Sequence, residues 1–490
     1  MGYFHFVMTI NHLTLHPLNR PKYIIDMAAK YDVIVIGSGP GGYVAAIRAS
    51  QLGMKVGVVE KAEVGGICLN WGCIPTKALL KSAQVFEYLN HAEDYGITVK
   101  EAKADIKAMV KRSRDVAAGM SKGINFLFKK NKIDHLAGFG KLASGKKVLV
   151  TDDKGTTTEY SADHIIVATG GRSRELPNIP IDGKKVIGYR EALVLDKLPK
   201  KMVIMGSGAI GVEFAYFYNA LGAEVTIVEY APRIVPNEDQ EVSKALLSNF
   251  KKSGMKVLTE AAVESVDTKG TGCTVKVKTS KGVEELKCDV VLSAVGVATN
   301  IEGIGLEDVG VITERGQVVV DEFYKTNIPG IYAIGDIIPG PALAHVASAE
   351  GIICVEKISG MDVHGLDYGN IPGCTYCSPE IASVGHTEAS AKEAGYDVKV
   401  GKFPFSASGK ASAAGAKEGF VKVIFDAKYG EWLGAHMIGA NVTEMIAEVV
   451  VARNLETTGH EIIKSVHPHP TMSEAIMEAA AAAYDEVIHL

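Results

Sequence analysis

Two stretches of the chain carry one pattern, in which a short apolar run leads into G-x-G-x-x-G and then into a helix-like stretch. The first stretch lies at 31–52 and the second at 202–221. Each is followed by another apolar run that ends in an acid, Glu60 or Glu229, at the same distance from the first glycine. A strand, a glycine turn and a helix in this register form a dinucleotide-binding βαβ unit. The sequence therefore predicts two dinucleotide-binding α/β domains.

The residues of these loops have separate tasks. The first glycine allows a tight turn, the second lets the backbone approach a pyrophosphate, and the third permits close packing of helix on strand. The phosphates then meet the free N–H groups at the positive end of the helix. The terminal acid binds a ribose diol and repels the 2′-phosphate of NADP, so the second unit is predicted to bind NAD. The predicted loop residues are Gly37, Gly39, Gly42 and Glu60 in the first unit, and Gly206, Gly208, Ile210, Gly211 and Glu229 in the second.

A chain of 490 residues is too long for a single core. After about residue 368 the pattern changes to alternating strands at 398–403, 419–425 and 432–438, and then to helices. We therefore predict an α/β protein with two Rossmann-like three-layer domains and a C-terminal α+β domain. The predicted segments are an N-terminal extension at 1–29, dinucleotide-binding domains at 30–175 and 176–300, a central domain at 301–368 and a C-terminal domain at 369–490.

Composition excludes several classes of protein. A net charge of −5 argues against a nucleic-acid binder, and no apolar stretch reaches the roughly 18 residues of a membrane span. Seven scattered cysteines are unlike a secreted disulfide framework, so we expect a reducing, cytoplasmic compartment and no metal site. The first 26 residues lack the charged and apolar regions of a secretory signal, and Met27 is an alternative start.

Cys68 and Cys73 lie directly behind the first βαβ unit. Two cysteines separated by four residues can close a small ring where the backbone turns helically. The stretch at 75–88 is a predicted helix, and its N-terminus would lower the pKa of Cys73 and favour the reactive thiolate. An isolated C-x4-C pair is most often two free buried cysteines. Its position behind this unit favours a redox-active pair.

The segment GGICLNWGCIPTKALL at 65–80 resembles the redox-disulfide segment of the pyridine nucleotide–disulfide oxidoreductases, particularly of the members that oxidise dihydrolipoyl groups with NAD. The resemblance extends over nearly the whole chain and implies FAD in the first domain and NAD in the second. It implies that Cys68 is the thiol attacked by substrate and Cys73 the charge-transfer thiolate against the flavin. It also implies that Lys77 pairs with Glu213 beside the flavin.

The same resemblance implies further cofactor contacts, for which Asp336 is the main candidate because it would bind the ribityl–phosphate region of FAD. For Lys77, Glu213 and His345, an ordinary salt bridge or a packed polar group is the alternative interpretation. The remaining implied residues are Gly335, Thr169, Gly170, Ala344 and His345 near FAD, and Gly296 near NAD.

The run HPHPTMSE at 467–474 offers a base for thiol–disulfide exchange, because a histidine that titrates near neutrality can make the substrate thiolate. From the residues alone, Glu474 either orients this base or closes a capping box with Thr471 at a helix over 472–484. The family pattern H-P-x-x-S-E falls on His469 and Glu474. It implies that this segment reaches the cysteine pair of the other subunit of an obligate homodimer. His467 is predicted to be positional or structural.

The chain departs from the family at 296–300, where GVATN replaces a run that often contains Arg and Pro, so any contact of that Arg is in doubt. Cys374 and Cys377 have metal or redox spacing but no second pair, and we interpret them as structural.

Other functions fit less well. A mercuric reductase would end in a cysteine pair, a glutathione reductase would carry basic residues in place of Glu229, and a soluble transhydrogenase would lack one redox cysteine. A non-catalytic flavoprotein that serves as a docking subunit or sensor would need neither the cysteine pair nor His469. The resemblance implies as partners the lipoyl domains and acyltransferase core of 2-oxo acid dehydrogenase complexes, or the H protein of glycine cleavage.

Overall fold

The structure is a computed structural model that describes residues 27–490. Most of the predicted extension, residues 1–26, lies outside the described residues. The structure therefore does not test whether Met27 is an alternative start. No helix in the described part of the chain is both long and apolar enough to cross a membrane.

The first region is a mixed sheet with its helices. Its elements are β1 (Met27–Ile36), α1 (Pro40–Gln51), β2 (Val56–Glu60), α2 (Gly66–Asn70), α3 (Cys73–Asn90), α4 (Ile106–Lys130), β3 (Asp134–Ala137), β4 (Phe139–Ala143), β5 (Lys147–Thr151), β6 (Thr157–Val167) and β7 (Gly171–Ser173). The order is β3–β2–β1–β6–β5–β4, parallel from β3 to β6 and antiparallel beyond. Val33, Ile34 and Val35 are fully buried, because strands of a parallel sheet are covered on both faces.

The second region repeats this arrangement. Its elements are β8 (Val186–Ile187), α5 (Tyr189–Ala192), β9 (Lys201–Met205), α6 (Ala209–Ala220), β10 (Glu224–Val228), α7 (Gln240–Lys252), β11 (Lys256–Leu258), β12 (Ala262–Asp267), β13 (Cys273–Thr279), β14 (Gly282–Cys288), β15 (Val290–Ser293) and β16 (Val297–Thr299). The parallel sheet has the order β11–β10–β9–β15–β8, and β12–β13–β14 form an antiparallel sheet beside it. In both regions the strand before the glycine loop has a crossover on each side, which is where such sheets bind ligands.

A central region returns to the first sheet. Its elements are α8 (Leu306–Val309), β17 (Thr313–Glu314), β18 (Gln317–Val318), β19 (Ile331–Ala333) and α9 (Ala344–Ile358). Strand β19 pairs in parallel with β6, and α9 packs against α1, the helix that follows the first glycine loop. Strands β7 and β16 pair with each other and connect the first two regions. The chain therefore completes its first ligand crevice with residues from beyond 330.

The C-terminal region is an antiparallel sheet covered by helices. Its elements are β20 (Gly373–Thr375), β21 (Glu380–Gly385), α10 (Glu388–Glu393), β22 (Val398–Pro404), α11 (Gly409–Ala413), β23 (Phe420–Asp426), β24 (Trp432–Gly439), α12 (Val442–Asn454), α13 (Gly459–Lys464) and α14 (Glu474–Ala483). The order is β20–β21–β24–β23–β22. The three strands predicted here are present as β22, β23 and β24, and the predicted fold class is confirmed.

Helix boundaries differ from the prediction by a few residues. Helices α1 and α6 begin at Pro40 and Ala209, because the glycine loop itself forms the first turn and Pro is tolerated there. Helix α14 begins at Glu474, two residues after the predicted start, with Ser473 as its N-cap.

Candidate active site

The first glycine loop is shaped by steric limits. Gly37 has a φ of +105°, and a Cβ there would lie 2.3 Å from the carbonyl oxygen of Ala168. A Cβ on Gly42 would lie 1.9 Å from the Gly37 oxygen. A Cβ on Gly39 would meet nothing within 4 Å, and no side chain caps α1 behind it. Open space beside uncapped N–H groups fits the pyrophosphate of FAD.

The second loop repeats this geometry. Gly206 has a φ of +94°, and Cβ atoms on Gly206 and Gly211 would lie 2.4 Å and 2.2 Å from carbonyl oxygens. Gly208 again faces open space at the uncapped start of α6. Ile210 lies in the first turn and packs against the apolar core of this region. The loop therefore has room for a second pyrophosphate at an uncapped helix start.

Glu60 and Glu229 hold identical positions. Oε2 of Glu229 accepts hydrogen bonds from the N and Oγ of Ser207, at 2.8 Å and 2.6 Å, and Oε1 accepts from the N of Ala231. Oε2 of Glu60 accepts in the same way from Ser38, at 3.1 Å and 2.7 Å. Each carboxylate is thereby fixed at the end of its strand with lone pairs left for a ribose diol.

Thr169 and Gly170 are tied to the run at 296–300. Oγ1 of Thr169 donates to the carbonyl oxygen of Asn300 over 2.6 Å, and the N of Asn300 donates to the oxygen of Gly170 over 2.9 Å. Two arginines, one in β7 and one directly after it, also bind this run. Arg172 donates to the carbonyl oxygen of Thr299, and the N of Arg174 donates to the oxygen of Gly296.

The chain lacks the Arg that the family often has in the run at 296–300, but these two arginines contact the run from outside it. Arg172 additionally forms a bidentate ion pair with Glu302. The side chain of Arg174 donates to the carbonyl oxygen of Val297 over 3.2 Å. The run at 296–300 is therefore held by the basic side chains of Arg172, in β7, and of Arg174, directly after β7. Sequence reasoning missed both arginines, although they follow the glycine turn at 170–171 directly.

Asp336 lies in a short turn between β19 and α9, and burial raises its pKa. Its charge is among the causes that raise the pKa of Cys68. Ala344 begins α9, and His345 contacts the carbonyl oxygen of Pro372 over 2.9 Å. Sequence reasoning missed Glu350, a buried acid of α9. Its carboxylate accepts from the N of Gly335 over 2.6 Å and from a tyrosine hydroxyl, and so fixes the turn that carries Asp336.

The cysteine pair occupies the junction of two helices. Cys68 lies within α2, and Cys73 is the first residue of α3. Both are thiols in this structure, and a hydrogen bond joins them. Cys73 thus faces the positive end of an 18-residue helix, which favours a thiolate.

The proton of this pair belongs to Cys68. The hydrogen bond from Cys68 and the charge of Lys77 outweigh burial and lower the pKa of Cys73 to about 7. The same hydrogen bond, together with burial, raises the pKa of Cys68. The pKa values of the other five cysteines are raised by burial. Cys73 is therefore the one thiol prepared to ionise near neutrality.

This assignment predicts the pH dependence of alkylation. In the reduced protein, iodoacetamide should label Cys73 with a rate that rises through a midpoint of about pH 7, because only the thiolate reacts. Cys68→Ala removes the donor, so the midpoint should move to higher pH. Mass spectrometry of the peptide at 65–80 measures both rates. An unchanged midpoint in Cys68→Ala would contradict the assignment.

Lys77 and Glu213 form an ion pair. The Nζ of Lys77 lies 2.9 Å from both carboxylate oxygens of Glu213, which is buried in α6. The N of Tyr376 donates to the same carboxylate over 2.9 Å, and its ring lies under the ammonium group at 4.3 Å. Sequence reasoning missed Tyr376, which brings the C-terminal region to this pair. The contact joins three regions one helical turn from Cys73.

Cys374 and Cys377 flank this tyrosine as free thiols. Cys377 is buried, and its Sγ lies 3.3 Å from the carbonyl oxygen of Pro379. Within residues 27–490, no group of three or more His, Cys, Asp or Glu side chains is arranged to hold a metal ion.

His469 and Glu474 form the second pair of interest. Nδ1 of His469 lies 2.8 Å from Oε1 of Glu474, while Oε2 of Glu474 accepts from the N of Thr471 over 2.7 Å. The carboxylate thus contacts the imidazole and also closes the turn. The predicted capping box is wrong, because helix α14 has Ser473 as its N-cap without a side-chain cap, and the hydroxyl of Thr471 donates to the carbonyl oxygen of Pro468 instead. Burial raises the pKa of Glu474, but its contacts with Thr471 and His469 outweigh burial and the pKa is lowered.

The imidazole of His469 points into solvent, with 78% of its side chain exposed. Within one described chain, no hydrogen bond or ion pair joins it to either redox cysteine. The imidazole–carboxylate pair and the thiol pair are thus both present in the chain, without a direct contact between them.

Comparison with known proteins agrees with this geometry. The family model for pyridine nucleotide-disulphide oxidoreductases matches residues 31–351, and the model for their dimerisation domain matches residues 371–480. Dihydrolipoyl dehydrogenases of Rhizobium etli, Zymomonas mobilis and Bacillus subtilis are 52%, 49% and 44% identical, over 94% of this chain and 100% of each relative.

Solved structures share the fold. LpdA from Mycobacterium tuberculosis superimposes with a TM-score of 0.86 at 28% identity, over 92% of this chain and 99% of that one. The HOCl-induced flavoprotein disulfide reductase RclA from Escherichia coli, solved as a Cu(II) complex, has a TM-score of 0.83 at 26% identity, over 93% and 99%. The predicted family, the predicted cofactors FAD and NAD, and the predicted homodimer are supported by these matches. The chain therefore belongs to the pyridine nucleotide–disulphide oxidoreductase family, among the dihydrolipoyl dehydrogenases.

Proposed function

We propose that this chain oxidises protein-bound dihydrolipoyl groups to lipoyl groups and reduces NAD⁺ to NADH, with Cys68 and Cys73 as its redox disulfide. The observation that carries the proposal is the thiol–thiolate pair one turn from Lys77, whose ion pair with Glu213 joins the two glycine-loop regions. Curated relatives that cover nearly the whole chain support the choice of substrate.

The exchange begins with the disulfide form of the pair. His469 takes a proton from one substrate thiol, and the resulting thiolate attacks Sγ of Cys68. The bond between the two cysteines breaks, and Cys73 leaves as a thiolate. The second substrate thiol then attacks the mixed disulfide, which forms the lipoyl disulfide and releases Cys68. The proton of that second thiol passes to Cys68, while His469 keeps the first proton and later releases it to solvent, so the pair ends with the proton on Cys68 and the charge on Cys73.

FAD, held at the first glycine loop, supplies a two-electron carrier between this dithiol and NAD at the second loop. The role of Lys77 is to hold a positive charge one turn from Cys73, where it stabilises the thiolate. Glu213 fixes that ammonium group through both carboxylate oxygens. Asp336, together with Thr169, Gly170 and Ala344, would contact the bound FAD.

We further propose that the active site is composite, with His469 and Glu474 of one subunit serving the cysteine pair of the other. The exposed imidazole and the matched dimerisation domain support this arrangement. The proposed partners are the lipoyl domains and acyltransferase core of a 2-oxo acid dehydrogenase complex, or the H protein of glycine cleavage. The sparse, odd-numbered cysteines support a cytoplasmic location.

Anaerobic reduction of the purified protein by dihydrolipoamide tests the reaction directly. Rapid bleaching of the flavin, followed by reoxidation with NAD and not with NADP, is the expected result. Reduction by NADH without reduction by dihydrolipoamide would keep the flavoprotein and reject this substrate.

The preference for NAD predicts the effect of removing the charge at Glu229. Glu229→Gln should lower the ratio of kcat/KM for NAD to kcat/KM for NADP by about tenfold. Unlike the carboxylate, the amide does not repel a 2′-phosphate, and it binds the ribose diol less strongly. Glu224→Gln is the matched control, since Glu224 is exposed and pairs with Lys201 in the same sheet. Steady-state kinetics with both nucleotides measures the ratio, and an unchanged ratio in Glu229→Gln would assign the preference elsewhere.

A further inference from the structure

A second imidazole–carboxylate pair lies two residues before His469. Nε2 of His467 is 2.7 Å from Oε1 of Glu448 in α12, and Nδ1 of His467 is 3.1 Å from the carbonyl oxygen of Ser465. In contrast to His469, the side chain of His467 is only 7% exposed. The catalytic turn is therefore anchored from inside the C-terminal region by this residue.

The two contacts determine the charge of the ring. A neutral imidazole carries a single N–H, so it can donate to only one of two acceptors. Both nitrogens of His467 face oxygens that can only accept, a carboxylate and a backbone carbonyl. Only the imidazolium satisfies both. In agreement, the hydrogen bond with Glu448 outweighs burial and raises the pKa of His467.

The charged groups that act on His467 come from two helices, Glu448 in α12 and Glu474 in α14. The influence is mutual, because the charge of His467 is among the causes that lower the pKa of Glu474. The charge of this buried imidazolium therefore acts on Glu474 in addition to the hydrogen bond between Glu474 and the base at 469. The second oxygen of Glu474 also closes the turn through the N of Thr471.

We propose that His467 is a positioning residue that remains an imidazolium at neutral pH, anchors the turn at 467–471 and keeps Glu474 ionised so that it orients His469. This proposal rests on the proposed function, because it assigns His469 as the base. A neutral residue at 467 leaves Glu474 to take up a proton at higher pH. A protonated Glu474 has one oxygen fewer to accept from both Thr471 and His469, and the base loses its orientation.

Two substitutions at position 467 separate the effect of the positive charge from that of the hydrogen-bond donors. His467→Gln keeps a donor and removes the charge, while His467→Arg keeps both a charge and donors for Glu448 and Ser465. In His467→Gln, kcat for dihydrolipoamide should fall about tenfold with little change in KM, and the acid limb of the pH profile should move to higher pH. His467→Arg should restore most of both. NADH oxidation by a one-electron acceptor needs no base at 469 and should stay unchanged in both variants.

His489→Gln is the matched control, since His489 pairs over 2.5 Å with Glu478 of the same helix α14 and lies outside the catalytic turn. It should leave both activities and the pH profile unchanged. Three results would overturn the proposal: a wild-type profile in His467→Gln, an equal loss of both activities, or an arginine variant no better than the glutamine variant.

Thermal unfolding tests the charge without using catalysis, and so remains informative if dihydrolipoamide is not the substrate. A histidine whose folded pKa is raised stabilises the protein fully below its unfolded pKa of about 6.5, and loses that effect as pH rises through the folded value. The Tm advantage of the wild type over His467→Gln should therefore be largest in acid and shrink with rising pH. Glu448→Gln, which leaves His467 in place, should remove the same pH-dependent part. A Tm difference independent of pH would show that His467 is neutral.

Discussion

Cys68→Ser is expected to abolish dihydrolipoamide oxidation, with kcat lowered at least about a thousandfold, while the protein keeps its flavin. The serine hydroxyl cannot form a disulfide, so the substrate thiolate has no sulfur to attack. Serine still donates a hydrogen bond to Cys73, and the thiolate there should persist. NADH oxidation by a one-electron acceptor bypasses the cysteine pair and should continue. Stopped-flow reduction of the flavin by dihydrolipoamide and by NADH measures the two half-reactions separately.

Cys273→Ser is the matched control for this change. Cys273 is a buried thiol of β13, where it lies opposite Cys288 of β14 and outside the cysteine pair of α2 and α3. It should retain wild-type turnover. Full turnover in Cys68→Ser would reject the proposed chemistry, and loss of flavin from Cys68→Ser would show that the substitution damages the fold instead.

The parts of this site that the sequence predicts are those formed by residues close together in the chain. A strand, a glycine turn, a helix and an acid follow one another within about 30 residues, so backbone geometry alone links them. The pairing of Lys77 with Glu213 spans 136 positions, and only resemblance could suggest it. Steric rules and strand periodicity therefore account for the fold, while the electrostatics of the cysteine pair depend on tertiary contacts.

The residues that were missed support this division. Tyr376 and Arg172 act through a backbone N–H and backbone carbonyl oxygens, whose partners no side-chain pattern reveals. Glu448 reaches His467 from another helix. Glu350 did leave a signal, because an acid in the middle of the apolar helix α9 is expected to be buried with a partner. Its role at Gly335 still required the fold.

His469→Gln should lower kcat for dihydrolipoamide by a factor of about 10² to 10⁴, because the substrate thiol loses its base. Glutamine retains a polar group for Glu474, so the turn should persist. The dependence of kcat on pH should flatten, because the variant has no base at 469 to be protonated. NADH oxidation by a one-electron acceptor should remain. Unchanged kcat across the pH range would remove His469 from the mechanism.

Hybrid dimers decide which subunit supplies this base. A purified hybrid of one Cys68→Ser chain and one His469→Gln chain contains one intact cysteine pair and one intact base, on different chains. A composite site predicts about half of the wild-type activity, since one of the two sites then has every group. A site within a single chain predicts a hybrid as inactive as either parent.

The reciprocal hybrid gives the opposite result and removes the remaining ambiguity. Here one chain carries both substitutions and its partner is wild type. In a composite site, the intact cysteine pair of the wild-type chain faces the substituted residue 469 of its partner. The intact base of the wild-type chain faces the broken cysteine pair, so the dimer should be inactive. If each chain used its own His469, the wild-type chain would retain its turnover. Because the two hybrids contain the same substitutions in the same number, differences in folding or flavin content cannot produce this inversion, and only transfer of a proton across the subunit interface does.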